Sequence, residues 1–508
     1  MKKTTEDNRI NLGSVFWVSM IITVLFVIWG AFAPDSLANN ANIIFAFTTN
    51  NFGWFYLIST AFFIVFCFYL ALSKYGKIKL GKDEDKPKYS FFTWIGMLFS
   101  AGFGVGLVFW GVAEPMMHFM SPPDGSVSQS PDAARIAINY SMFHWGIHQW
   151  AIFTVIGLAI GYFQFRKQAK GLISSAFDPI LKNKNSILKP TIDVLAVIAT
   201  ITGVATSLGM GILQINGGLS YLFSTPNTVF TQLLIILALL VLYLISTTTG
   251  LDRGIKVLSN VNLTMALGIM IIVLLLGPTI FILNGFTTGI GDYLKNSIAM
   301  TFPLNPYNGD NWAMDWTIFY WAWVISWSPF VGTFVARVSR GRTIREFVFG
   351  VLIIPGSVAG IWMAIFGGTA IHMELFQGIA ISEYVQTDLT SALFLMLENL
   401  PLGYILSIIA IVLIITFLIT SADSATFVLG MMTTNGSLNP TFAIKIIWGV
   451  LLAAIAGVLI ISSGLRGLQT ASLLTALPFT IISIGMCYSL LKSLLNEEVE
   501  AKKVKKAA

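Results

Sequence analysis

The segment Asp315-Trp316-Thr317-Ile318-Phe319-Tyr320-Trp321-Ala322-Trp323-Val324-Ile325-Ser326-Trp327-Ser328-Pro329-Phe330-Val331-Gly332 decides how this 508-residue chain is read. It is long and apolar enough to cross a bilayer, which takes about 20 residues. An inert anchor, however, has no use for four tryptophans, a row of hydroxyl side chains and a Ser-Pro pair followed by glycine. Proline removes a backbone donor and crowds the carbonyl one turn back, so the sequence predicts a helix interrupted at Ser328-Pro329. Carbonyls freed at membrane depth persist only where protein, water or an ion satisfies them.

Composition extends this reading to the whole chain. It is 56% hydrophobic and 11% charged, with a mean hydropathy of +0.78, which excludes a soluble protein built on one large core. Twelve candidate spans, centred near Val24, Phe63, Gly104, Ile156, Ser207, Leu239, Ile271, Trp323, Ile361, Leu413, Ala454 and Ile481, fill most of it. The expectation is an all-α polytopic membrane protein. No cleavable signal peptide is expected, because the first apolar run is too long and ends in Ala33-Pro34-Asp35. With the N-terminus inside, only Arg135, Lys295 and Arg466 of the 30 basic residues fall outside. That bias places both termini in the cytoplasm of a plasma-membrane protein. The net charge of +6 then reflects orientation and contact with anionic lipid, not nucleic-acid binding. Cys67 and Cys487 both fall within spans, which argues against a disulfide or metal framework.

Taken in order, Val15 to Phe32 and Trp54 to Leu72 read as accessory helices. In the third span, Ser100-Ala101-Gly102-Phe103-Gly104-Val105-Gly106 interrupts the apolar run. Each glycine costs about 1 kcal/mol against alanine in a helix, so an unwound segment is expected here, with close helix packing as the alternative. The fourth span opens Phe143-His144-Trp145-Gly146-Ile147-His148-Gln149-Trp150-Ala151-Ile152-Phe153, and Trp145, Trp150 and Phe153 crowd one side of a helix or form an interfacial belt. His144 and His148 have metal-pair spacing, but no Glu lies between them and no third ligand is evident. In the fifth span Thr202 and Thr206 present two hydroxyls one turn apart, hard ligands for a small cation unless they bond back to their own helix. Gly285 to Phe302 reads as a short amphipathic stretch lying along the interface. Four arginines between Arg337 and Arg345 stop the eighth span inside and can brace a cytoplasmic gate. The tenth span ends in Phe417-Leu418-Ile419-Thr420-Ser421-Ala422-Asp423-Ser424, where Asp423 is either functional or a stitch between helices.

Spans three and eight carry the Gly or Pro interruptions, and spans five and ten the Thr/Ser clusters; each pair is five helices apart. Paired interruptions of this kind mark an inverted-repeat secondary transporter with its substrate near mid-membrane. The expected organisation is 1–90 for the N-terminus and accessory helices, 91–283 and 316–491 for the repeats, 284–315 for the connector and 492–508 for a short tail. No carboxylate occurs in the aromatic-rich parts of spans four and eight, whereas Trp145, Trp150, Trp323 and Trp327 offer π faces. A quaternary ammonium has no N–H to give a carboxylate, so an aromatic cage suits it, at about 2 kcal/mol per desolvated cation–π contact. The negative end of a zwitterion can be met by free backbone N–H groups at a broken helix.

The motifs Ala101-Gly102-Phe103-Gly104-Val105-Gly106-Leu107, Ala113-Glu114-Pro115, Phe143-His144-Trp145-Gly146, Trp316 to Trp323, Ala336-Arg337-Val338-Ser339-Arg340-Gly341-Arg342 and Thr420-Ser421-Ala422-Asp423-Ser424 resemble the betaine/carnitine/choline transporter family across essentially the whole chain. The resemblance is to its short, sodium-coupled glycine betaine carriers of Gram-positive bacteria. It implies a LeuT-like fold, a homotrimer, and sodium-driven uptake of a quaternary-ammonium compatible solute for osmoprotection, with no other cofactor. It also implies a substrate box of Trp145, Trp150, Phe153, Trp323 and Trp327 against Gly102, Gly104 and Gly106. One sodium site would use Thr202, Thr206 and the ring face of Phe330, the other Ser100, Phe103, Phe417, Thr420 and Ser421. Sodium-independent exchangers of the family break the glycine motif and carry Arg where this chain has Asn262, so the intact motif favours sodium coupling.

Two departures bear on specificity. Val324 replaces the family's usual second tryptophan, and Phe153 stands where betaine carriers often have tyrosine. A roomier box brings choline, carnitine or a sulfonium analogue such as dimethylsulfoniopropionate into consideration. The competing readings are sodium-independent carnitine or choline exchange and, from another class, an intramembrane enzyme. For the enzyme, none of His118, His144, His148 and His372 is evidently paired with a carboxylate in the sequence.

Overall fold

The computed structural model describes residues 12–102, 104–181, 187–249, 256–307, 309 and 311–507. Among these, the regular elements are helical apart from one β-bridge between Lys79 and Thr343. The chain opens with α1 (Ser14–Phe32) and α2 (Pro34–Leu72). Proline is tolerated at the first position of α2 because that N–H has no helical partner. The helix starts at Pro34, well before the apolar run at Trp54, because its asparagines bond back onto it. Asn40 Nδ2 donates to Ser36 O at 2.8 Å and Asn51 Nδ2 to Phe47 O at 2.7 Å.

The third span is broken as its glycines predict. It divides into α3 (Phe91–Gly102) and α4 (Gly104–Met120), and the axes of Phe91–Phe99 and Gly104–Met120 meet at 64°. Gly104 takes φ +43°, a left-handed conformation that glycine adopts without steric cost. The fourth span is likewise divided at Gly146, into α5 (Pro131–Trp145) and α6 (Ile147–Gly161). Then follow α7 (Leu188–Phe223), α8 (Val229–Thr249), α9 (Lys256–Leu276) and α10 (Thr279–Thr301). Gly277-Pro278 ends α9 earlier than the expected Leu283, and the remaining residues join the connector helix α10.

The eighth span departs from expectation. A π turn over Met314–Ile318 leads into α11 (Phe319–Val338), which runs through Pro329 without a break. The reason is local: Pro329 cannot donate to Ile325 O, and the Ser328 hydroxyl does so instead at 2.7 Å. The freed carbonyl is therefore satisfied within the helix.

The second half continues with α12 (Ile344–Leu352), α13 (Ile354–Gln377), the short α14 (Ile381–Thr387) and α15 (Ala392–Glu398), and then α16 (Gly403–Thr433) and α17 (Phe442–Ala507). Among the described residues, ten helices, or eleven counting the bent pair α3/α4 as one span, are long and apolar enough to cross a membrane. At 1.5 Å per residue the 66 residues of α17 far exceed a bilayer, and Ser463 and Gly464 leave helical geometry within it. A count of twelve rests on taking its two arms as separate spans.

Burial ranks these helices. The window of Met314–Val338 is wholly buried, against 22% for α1, so α11 is the axis of the bundle and α1 lies at its margin. α11 packs on α6, α7 and α17, while α7 also contacts α16 and α17. Three arginines of the run between Arg337 and Arg345 brace neighbouring elements. Arg345 Nε donates to Ala71 O (2.9 Å), and Arg342 lies 4.0 Å from the Trp94 ring centre and donates to Tyr89 O. Arg340 pairs with Asp85 at 3.1 Å and holds that carboxyl below its ordinary range. The expected charged tail is part of α17: Glu497 binds Arg166 and Lys167, and Glu498 binds Lys74. Asp423 stitches α16 to α8, accepting from Ser246 and Thr247 at 2.7 Å each.

Ser328→Ala leaves Ile325 O without its donor and is expected to destabilise the protein by about 1–3 kcal/mol, read as a lower Tm in detergent. Adding Pro329→Ala supplies a backbone donor and restores most of the loss; a Tm insensitive to both changes contradicts this account of the unbroken helix.

Candidate functional site

The interruption between α3 and α4 meets the aromatic residues of α6 and α11. A Cβ at Gly102 would lie 2.2 Å from Trp150 Cη2, and one at Gly106 would lie 2.8 Å from Trp323 Cη2 and 3.0 Å from Trp145 Cη2. Only glycine lets these rings rest on the backbone. Trp323 and Trp327, one turn apart on α11, stack at 5.8 Å with planes 2° apart. Trp145 meets Trp323 edge-on at 6.2 Å, Trp327 meets Phe153 at 5.7 Å, and Phe153 meets Trp150 at 5.4 Å. All five rings of the expected box thus form one continuous buried wall. Val324 is buried as well. Among the described residues, the indole N–H groups of Trp323 and Trp327 find no acceptor, an expensive condition for buried donors.

The hydroxyls form two groups beside this wall. Thr206 Oγ1 lies within 3.0 Å of Thr202 O, Leu468 O and Ser472 Oγ, so neutral oxygens of α7 and α17 converge there. Thr202 Oγ1 approaches Ser326 (3.3 Å) and Thr475 (3.2 Å), and it also bonds back to Ile198 O and Ala199 O. Ser326 lies one turn before Phe330, whose ring is 6.5 Å from that of Trp327. α7 and α11 touch by backbone here: a Cβ on Gly203 would be 2.8 Å from Trp327 N.

The second group lies across the glycine break. Ser421 Oγ is 3.4 Å from the position of a Gly104 Cβ, and Phe417 packs on Phe99 at 6.4 Å. Thr420 Oγ1 accepts from Asn262 Nδ2 at 2.9 Å, so the residue expected to distinguish sodium-coupled carriers from exchangers touches this group. Phe103 lies outside the described residues, and of Ser100 only the backbone is described. A cavity of about 10 Å³, room for about one water, joins Gly104, Trp327 and Ser421, and so connects this group to the aromatic wall.

The histidines correct the sequence reading in one respect, their pairing with a carboxylate. His148 does not pair with His144: its Nε2 meets Thr301 Oγ1 at 2.8 Å, tying α6 to α10. His144 and His118 both face a carboxylate, Glu114, at 2.7 and 3.3 Å, and the three could cluster around a metal by proximity. Both ring nitrogens of His144 are already engaged, by Glu114 and by Thr317 Oγ1 at 2.9 Å, which makes the cluster a hydrogen-bond hub. The absence of carboxylates from the aromatic-rich parts of spans four and eight therefore does not leave the region without one, because α4 delivers Glu114 to it. The signal present in the sequence was Glu114 itself, an acidic residue inside an apolar span.

Residues 14–499 match the model of the BCCT, betaine/carnitine/choline family transporter. The chain belongs to this family. It is 54% identical to the ectoine/hydroxyectoine transporter of Virgibacillus pantothenticus, over 99% of this chain and all of that one. It is 49% identical to a glycine betaine transporter of Bacillus subtilis over 98% and 97% of the two chains. A glycine betaine transporter of Acinetobacter baylyi is 38% identical over the full chain and 77% of its own length. The family and these relatives are transporters, so the buried Glu114 cluster belongs to a multi-pass membrane transporter and not to an intramembrane enzyme.

Gly106→Ala is expected to push Trp323 and Trp145 apart and weaken substrate binding at least about tenfold. Gly268→Ala, at a helical position with open space around it, leaves binding unchanged. Tryptophan-fluorescence titration of the purified variants measures both, and equal affinities in the two contradict the role of the bare backbone.

Proposed function

We propose that this transporter takes up a small zwitterionic compatible solute whose positive nitrogen is alkylated or delocalised, as in glycine betaine or ectoine, driven by sodium. The observation that carries the reading is the unbroken wall of Trp145, Trp323, Trp327, Phe153 and Trp150 laid on the glycine break. Stacked ring faces suit a soft, weakly hydrated cation, whereas a compact ammonium would demand acceptors. The unsatisfied indole N–H groups of Trp323 and Trp327 suit the carboxylate end. Relatives named for glycine betaine and for ectoine support the same class. Val324, in place of a large ring, favours a solute of different shape from betaine and gives ectoine, a cyclic amidinium carboxylate, specific support.

Sodium coupling is supported by the chemistry of the hydroxyl groups. Sodium is a hard cation that prefers several oxygen ligands, and Thr206, Ser472 and the carbonyls of Thr202 and Leu468 offer a neutral set. Asn262 beside Thr420 leaves the second group without a fixed positive charge that would substitute for the ion. In this reading the protein is a homotrimer of the plasma membrane with both termini cytoplasmic. Its five-plus-five repeats at 91–283 and 316–491 alternate access to the site, and its uptake serves osmoprotection.

The test is uptake into liposomes under an inward sodium gradient against potassium, with labelled glycine betaine and ectoine, and with choline, carnitine and dimethylsulfoniopropionate as competitors. Sodium-driven uptake of betaine or ectoine is expected; uptake indifferent to sodium, requiring internal carnitine or choline, contradicts the reading in favour of exchange. Trp323→Ala is expected to raise the substrate KM at least about tenfold, through loss of about 2 kcal/mol of cation–π contact. Thr206→Ala raises mainly the sodium concentration needed for half-maximal uptake. If each change alters both constants equally, the two sites are not separate.

A further inference from the structure

Glu114 is wholly buried in α4, and no lysine or arginine supplies a donor to it among its described partners. A carboxyl group at membrane depth is costly unless its lone pairs are filled. Here they are: Oε1 faces His118 Nε2 and His144 Nδ1, while Oε2 receives the Trp145 indole N–H at 2.7 Å and the Tyr320 hydroxyl. The donors come from α4, α5 and α11, the helices whose rings enclose the outer side of the aromatic wall.

Of the two donors on Oε2, Trp145 is a ring of that wall and Tyr320 packs against it. Tyr320 lies 5.8 Å from Trp145 and 6.0 Å from Trp323, and Trp145 meets Trp323 edge-on. Trp145 is therefore held at opposite edges, its N–H on Glu114 and its Cη2 against Gly106. An indole pinned at both edges has no freedom to rotate about its attachment. His144 in turn stacks on Tyr320 with planes 16° apart and is anchored on Thr317, so the hub fixes both rings from behind.

We propose that Glu114 is a positioning residue of the substrate box, setting the planes of Trp145 and Tyr320 so that a cationic solute meets a preformed wall. The proposal rests on reading that wall as the substrate site. Glu114→Gln retains size but gives one oxygen where two are used, and its amide hydrogens face donors on the other side. One pair of donors then loses its acceptor.

The experiment compares Glu114→Gln with wild type in proteoliposomes, using glycine betaine and ectoine as probes. The expected result is a KM raised about tenfold or more, with Vmax and the sodium half-saturation constant within about twofold of wild type. In a Trp145→Phe/Tyr320→Phe background, where neither ring can donate, adding Glu114→Gln changes KM by less than about twofold. A role in folding alone moves Tm and Vmax and leaves KM alone, and that result overturns the proposal, as does an undiminished effect in the double-phenylalanine background. Should Glu114→Gln not fold, the wild type decides. The Trp145 indole proton, assigned by its loss in Trp145→Phe in indole-¹⁵N spectra, is expected to be protected from solvent exchange. Rapid exchange overturns the proposal. Absence of saturable wild-type binding of either probe overturns the box reading and the role of Glu114 with it, whereas intact wild-type binding with an unchanged KM in the variant removes the role of Glu114 alone.

Discussion

Aromatic rings resting on bare backbone are the constraint on which the rest of this structure depends. Trp150 occupies the space a side chain would need at Gly102, and Trp323 and Trp145 do the same at Gly106. Between these contacts Gly104 turns through positive φ, and the second half of the span swings by 64°. The swing has two consequences. It brings backbone to the aromatic wall, and it aims α4 so that Glu114 faces α5 and α11 rather than lipid. One local irregularity thus builds both the wall and the hub behind it.

The second principle is that polar groups in the low-dielectric interior are spent on one another. Thr202 bonds to carbonyls of its own helix and to Ser326 and Thr475 on two others. Helix back-bonding and inter-helix contact, alternatives when the sequence is read alone, coexist in one hydroxyl. Any cation entering this group exchanges ion–oxygen contacts for these hydrogen bonds, which couples its binding to the relative placement of α7, α11 and α17. In the proposed site, a solute bound at Trp327 would act on the same helices, because Gly203 and Trp327 touch by backbone.

Much of this is legible in the sequence, for reasons that differ by residue. The spans follow from apolar length, and the break at Gly104 follows from glycine's poor helix propagation. The clustering of Trp145, Trp150 and Phe153 follows from their spacing, whereas their grouping with Trp323 and Trp327 as one box comes from the family resemblance. What is illegible depends on partners far away in the chain. Pro329 reads as a helix break because its effect on Ile325 O is certain, but whether Ser328 rotates to replace the lost donor is a rotamer choice the sequence does not display. Glu114 reads as an isolated acid because its donors lie 30, 31 and 206 residues on, and only His118 is near in sequence. The His144 and His148 spacing produces no pair because Gly146 interrupts the helix between them, and the two imidazoles reach different neighbours. Helix ends are displaced where polar residues satisfy themselves locally, as the asparagines of α2 do.

The central claim is that the wall of Trp145, Trp323, Trp327, Phe153 and Trp150 holds the solute. The most direct test is a structure of the full-length protein in lipid nanodiscs at saturating sodium with glycine betaine or ectoine. The account predicts ligand density with its cationic end against the faces of these rings and its carboxylate toward the Trp323 and Trp327 indole N–H groups. Bound solute elsewhere in the bundle, with these rings still packed on one another, would contradict it.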